Sequence, residues 1–254
     1  MLFYIGLNVL SEEKKIKWFY PNEKTSLISF EQEITLGELV AEHIISAQYK
    51  EPLTSKTIDS MMWAVSKRLK QQIPTSAYDY NIVVLDDPQV NAFTIPGGSI
   101  YVFKGLISFC DSPEQLAAVL AHEIGHVEKR HTVDRLVREF GLSILFSVMT
   151  GGDSVLLYDL YQTLISTGFS RSQEKEADQF ALELLENANI SPKSIASFFR
   201  KLNQENLAYN ENIELIMTHP HNNVRIKASL AYEVDVDFKE IPFELNWKKI
   251  KRAL

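Results

Sequence analysis

The chain has a single cysteine, Cys110, among its 254 residues. No internal disulfide can form, and the thiolate-rich sites of structural zinc are excluded with it, so any metal must be held by histidine and carboxylate. Long apolar runs are lacking as well: none approaches the ~18 to 20 residues that cross a bilayer. The opening Met1 to Leu10 has neither the basic leader nor the small-residue cleavage site of a signal peptide. A basic excess is also missing. The net charge of -7 argues against a general nucleic-acid binder, which needs a phosphate-neutralising patch. Internal repeats and low-complexity linkers are absent, and 45% hydrophobic residues are enough for one sizeable core. These absences point to a chain that is soluble as given, built as one domain with a smaller lobe.

Along the chain, Thr35 to Tyr49 and Ser55 to Gln72 have helical spacing, the second with Ser55 as a candidate cap and Pro74 as a stop. Tyr80 to Leu85, Val90 to Ile95 and Ser99 to Phe103 are β-rich runs parted by turn residues, and they predict a small antiparallel sheet. Pro96-Gly97-Gly98 is followed by a strand rather than a helix, so a tight turn is expected and not a phosphate loop. From Ser112 the chain reads as helical, with one helix running to near Arg138 and others at Ser172 to Asn187, Ser191 to Tyr209 and about Asn222 to Tyr232. The apolar stretch Phe140 to Leu164 is either a core-packed helical pair or a lid or membrane-facing element.

Six histidines are present, and three fall between positions 122 and 131, inside one predicted helix. There His122-Glu123-Ile124-Gly125-His126 places two imidazoles four residues apart, on one face and one turn apart, where both can reach a single ion. Glu123 lies on the adjacent edge, where a general base for a bound water belongs. The same five letters would also fit an amphipathic helix with surface histidines. The apolar flank Leu116 to Ala121 speaks against that, since two imidazoles in a core need a shared partner. Gly125 within the helix costs about 1 kcal/mol relative to alanine, which makes sense if something approaches the backbone there.

A catalytic zinc needs a third protein ligand and an open position for water. Ser170 to Asp178 offers Glu174 as that ligand, although in isolation the charges of this stretch also fit a helix with a solvated face. Asp178, four residues on, shares its helical face and would accept the free ring N–H of a ligating histidine. His131 is five residues beyond His126, which turns it ~140° round the helix and away from the metal. His43 belongs to another helix and is assigned to packing. His219 and His221 flank Pro220; one of them could stand over a substrate, or both could sit on an exposed turn.

Taken together, Asn91 to Gly98, Leu116 to His126, Ser170 to Asp178 and Thr218-His219-Pro220 resemble, in order, the HtpX, BepA and CAAX prenyl protease group of zinc metallopeptidases. The similarity runs from about Glu31 to Ala231. It implies an α+β, mainly helical, zincin-like fold of the gluzincin type, with a small antiparallel sheet beside the active-site helix. It also implies one zinc per chain on His122, His126 and Glu174, Glu123 as base, and Asp178 behind the ligands. His219 matches the family histidine that stabilises the oxyanion or, in some members, covers the metal. Asn91 and Ala92 match the edge strand that pairs with extended substrate. The expected division is an N-terminal segment 1–30 of unassigned role, a metallopeptidase domain 31–232 and a packed tail 233–254. The implied activity is endopeptidase cleavage of protein or peptide substrates in envelope or membrane quality control. A periplasmic or membrane-tethered setting, with peripheral membrane association, would follow if an upstream leader or anchor has been removed. The alternative is a latent, zinc-bound, chaperone-like or binding protein of the same fold.

Overall fold

The computed structural model describes residues 27–46, 52–151, 153–207, 215, 219 and 222–254. Nearly all of segment 1–30 lies outside these residues, as do the expected helix ends at 47–49 and 208–209, and also Thr218, Pro220 and His221. The first helix, α1 (Phe30–Ser46), begins earlier than its apolar spacing suggested. A capping box accounts for this: Gln32 N donates to Ser29 Oγ, and Ser29 N donates to Gln32 Oε1. Helix α2 (Lys56–Lys70) follows, then strands β1 (Asn81–Leu85), β2 (Ala92–Thr94) and β3 (Ser99–Phe103).

The sheet has the order β1-β3-β2 and is mixed, not antiparallel as expected. β2 and β3 form a hairpin closed by Pro96–Gly98, a tight turn in which Gly97 and Gly98 take φ of 80° and 92°, a region that favours glycine. β1 then pairs with the far edge of β3 in parallel, in the register Asn81↔Ser99 to Leu85↔Phe103. The connection through residues 86–91 crosses the end of β3, where Gly105 N donates to Asp87 O. Side-chain alternation fixes which face a residue takes but carries no strand direction, so the parallel pair was not visible in the sequence.

β3 is the central strand, and its side chains divide between two cores. Ile100 and Val102 join Met61, Leu69, Leu116, Leu120 and Phe198 on one face. Tyr101 and Phe103 join Leu36, Val40, Leu136, Leu160 and Phe93 on the other. The sheet is thus covered on both sides. The short α3 (Lys104–Phe109) leads to α4 (Pro113–Glu128), which has Ser112 Oγ accepting from Gln115 N at its cap and Pro113 at its first position.

The expected single helix to Arg138 is in fact two. α4 stops at Glu128, Arg130 adopts left-handed backbone (φ 54°), and α5 (His131–Phe140) sets off in a new direction. Buried Glu33 on α1 holds this break, accepting from Arg130 Nε at 2.7 Å, while Arg130 Nη2 donates to Ile28 O. Periodicity could not reveal it, because the partner lies almost a hundred residues away.

Helices α6 (Leu142–Gly151) and α7 (Ser154–Ser166) bury Leu145, Val148, Leu157, Leu160, Tyr161 and Leu164 in the second core, as a core-packed pair does. Then come α8 (Arg171–Asn187), α9 (Lys193–Leu207), α10 (Asn222–Ala231) and α11 (Trp247–Lys251). Phe243, Leu245 and Trp247 of the C-terminal stretch pack on the first core, and Trp247 Nε1 donates to Cys110 O. Among the described residues no helix is long and apolar enough to cross a membrane.

Candidate metal centre

α4 is buried along nearly its whole length, and it carries His122 and His126 into the interior with their Nε2 atoms 3.0 Å apart. α8 packs across it. A Ser170–Gln173 capping box fixes the start of α8, three residues before Glu174. Close approach of the two helices depends on Gly125: a Cβ there would stand 2.9 Å from Ala177 O and 3.1 Å from Ala177 Cα. This is the approach that the glycine inside α4 foretold. Gly125→Ala should lower unfolding free energy by about 1–3 kcal/mol through overpacking. Denaturant titration of the metal-free protein checks this; an unchanged midpoint would mean that α8 yields without strain.

Glu174 meets the two histidines from α8. Its Oε1 is 3.4 Å from His126 Nε2, and its Oε2 is 3.6 Å from His122 Nε2. His219 completes the group, with Nδ1 2.9 Å from Glu174 Oε1 and 3.2 Å from His122 Nε2. One donor atom from each of the four lies within 4.8 Å of all the others, and all four residues are buried. Ligand bonds of 2.0–2.2 Å in a tetrahedron separate donors by about 3.3 Å, so the set fits a zinc-sized ion. Burial and the Arg225 charge lower the His122 pKa to about 4, and burial puts His126 well below its ordinary value. Both rings are therefore neutral near pH 7, as metal ligands must be. Burial alone would raise Glu174, but His219 and His126 outweigh it and hold this carboxylate ionised.

Glu123 is fully buried beside the cluster, and neither of its oxygens has a hydrogen-bond partner. His219 Nε2 is 3.4 Å from Glu123 Oε1. Burial pushes the Glu123 carboxyl up to about 7. A buried carboxyl with no hydrogen-bond partner, next to a donor cluster, has the character of a group that exchanges protons with a reacting molecule.

Asp178 stands behind His122, with Oδ1 3.0 Å from its Nδ1. The Arg225 Nη2 atom is 2.8 Å from the same Nδ1, so a carboxylate and a guanidinium both face this edge of the ring. Arg225 on α10, 4% exposed, went unnoticed in the sequence. Its Nε and Nη2 donate to Asp178, and its Nη1 is 3.3 Å from Glu174 Oε2. Burial alone would raise Asp178, but Arg225 and His122 hold it below its ordinary value. The one available signal was a charge count: three carboxylates, Glu123, Glu174 and Asp178, are too many for one dication in a core.

Asn91 and Ala92 sit where β2 meets α4, both without exposed surface; the Ala92 amide donates to Asn91 Oδ1. Val90 O, one residue earlier, accepts from Leu215 N. His43 lies on α1, apart from the cluster. His131 is not turned away from His126 but lies against it, for the reason given by the break at Arg130.

Residues 52–233 match the family model described as Peptidase family M48. The chain belongs to this family. M48 relatives include the mitochondrial metalloendopeptidase OMA1 of Schizosaccharomyces pombe, 32% identical over 64% of this chain and 50% of that protein. The beta-barrel assembly-enhancing protease of Yersinia pestis is 25% identical over 78% of this chain and 43% of its own length. Its Escherichia coli K12 counterpart is 25% identical over 77% and 42%. The chain thus matches about half the length of these curated relatives or less. The mostly helical architecture with a small mixed sheet agrees with the zincin-like fold of the M48 metallopeptidases, and M48 membership together with the buried His/Glu cluster points to a metal, typically zinc.

Proposed function

We propose that this M48 chain is a zinc-dependent endopeptidase. His122, His126 and Glu174 hold one zinc ion, Glu123 is the general base, and the catalytic unit spans 31–232. The observation that carries this reading is the meeting of those three buried donors with the Glu123 carboxyl, which is buried without a hydrogen-bond partner. A bound zinc would supply Lewis acidity, acidifying a water and polarising the scissile carbonyl. Glu123 then takes the proton of the attacking water and delivers it to the leaving amine nitrogen. Asp178 holds the ring of His122, and Arg225 holds Asp178. His219 donates to the carbonyl oxygen as negative charge develops there. An extended substrate pairs along β2 at Asn91 and Ala92, which requires the Asn91 side chain to release the Ala92 amide it now occupies.

The substrates are proteins or peptides, and the role is quality control in the envelope or at the membrane. Relatives whose names describe a metalloendopeptidase and a beta-barrel assembly-enhancing protease support this. If an upstream leader or anchor has been removed, the setting is periplasmic or membrane-tethered with peripheral membrane contact, and no nucleic acid takes part, as the charge of -7 suggests. A second reading, a latent zinc-bound chaperone, draws on one observation: His219 stands among the ligand atoms, where an open position would be.

Incubation of the zinc-loaded protein with a permanently unfolded model protein separates the two. Cleavage that a chelator abolishes and added zinc restores is the expected result. Binding without cleavage would favour the latent reading.

A further inference from the structure

By helical periodicity His131 belongs ~140° from His126, yet the two rings touch. The left-handed backbone of Arg130 ends α4, and α5 begins at His131 itself. Such backbone is uncommon for a residue with a Cβ and persists only where the surroundings hold it. Glu33 and Ile28 O do so through the Arg130 guanidinium. The ring of His131 is thereby folded back, 4% exposed, with its Nδ1 3.0 Å from His126 Nδ1. Phe169 stacks on the His126 ring, centroids 3.7 Å apart at 22°.

Two facing ring nitrogens make a hydrogen bond only if one is protonated and the other bare. The other nitrogen of His126, Nε2, faces His122 and Glu174. To offer a lone pair there, His126 must carry its proton on Nδ1. Among the described residues, the hydrogen-bond partner of that atom is His131 Nδ1. His131 is then the bare partner and has its own proton on Nε2, which lies 3.5 Å from Glu176 Oε2. The carboxylate favours a proton at that position.

We propose that His131 is a positioning residue for His126: its bare Nδ1 accepts the His126 Nδ1–H and keeps the Nε2 lone pair aimed at the metal. This rests on the metal reading given above. The two histidines of α4 are then held by different acceptors, His122 by the carboxylate of Asp178 and His126 by a third imidazole. Acceptors of this kind behind a ligand typically change metal affinity by about 10–100-fold.

The test is zinc affinity of the full chain, measured by competition with a chromophoric chelator, for wild type, His131→Leu and His131→Asn. Leucine removes the acceptor and leaves a buried donor unpaired; the asparagine Oδ1 can stand where Nδ1 stood. The expected result is about 10–100-fold weaker binding for the leucine variant, with the asparagine variant much closer to wild type. Wild-type affinity in the leucine variant, or equal losses in both, would overturn the proposal. Should the leucine variant fail to fold, nitrogen-15 imidazole spectra of the zinc-loaded wild type decide. A protonated Nε2 and bare Nδ1 on His131 support the proposal, and a protonated Nδ1 refutes it. A wild-type protein that takes up no zinc would refute the metal reading beneath it, which distinguishes that failure from this one.

Discussion

Glu123→Gln should keep its zinc and lose turnover by about 10²- to 10⁴-fold, the range that a positioned acid–base group contributes. Glutamine has nearly the same shape and cannot take a proton from water, so the packing of α4 should be preserved. In the structure Glu123 makes no hydrogen bond that the substitution would break. The amide instead gains two donors in a buried site, where His219 Nε2 lies 3.4 Å from Oε1. Steady-state cleavage of an unfolded substrate, with zinc measured in the same preparation, checks the expectation. A variant with its zinc intact and wild-type turnover would show that the base is another residue.

Arg225→Met should lower the stability of the metal-free protein by about 3–5 kcal/mol, the loss typical when one member of a buried charge pair is removed. The guanidinium donates to both oxygens of Asp178, approaches Glu174 and lies 4.0 Å from the centroid of Phe199. Methionine retains much of the packing volume but leaves two buried carboxylates without their cation. Zinc should recover part of the loss, because it neutralises Glu174 directly and binds only the folded chain. Urea unfolding with and without zinc measures both terms. A shift below about 1 kcal/mol, the scale of an exposed ion pair, would mean that Asp178 and Glu174 are already balanced by other groups.

Part of the cluster was legible in the sequence because its helical members sit at helical spacing, whereas His219 was marked as a site residue only by the resemblance. His122 and His126 share a face of α4 and Glu174 and Asp178 share a face of α8, and the second pair, which alone reads as a charged solvated face, gained its meaning from the first. Arg225 was hidden for the opposite reason. It comes from a third helix, and nothing in Asn222 to Ala231 marks one arginine as buried. His131 was misplaced because the break before it is imposed by Glu33, from a helix far away in the chain. The fold divides in the same way. Strand positions and the glycine turn followed from local composition, whereas the parallel pairing of β1 with β3 depends on a crossing connection that alternation does not encode. Gly125 is the instructive intermediate: the sequence showed that something must come close, and the structure identifies it as the backbone of Ala177.

The central claim is that His122, His126 and Glu174 form one metal site from two helices. Elemental analysis of the purified protein, wild type against Glu174→Ala, tests it most directly. The account predicts about one zinc per chain in the wild type and little or none in the variant, since a catalytic zinc is held by three protein ligands. A wild-type protein that holds no zinc even after reconstitution, or a variant that retains a full complement, would contradict it.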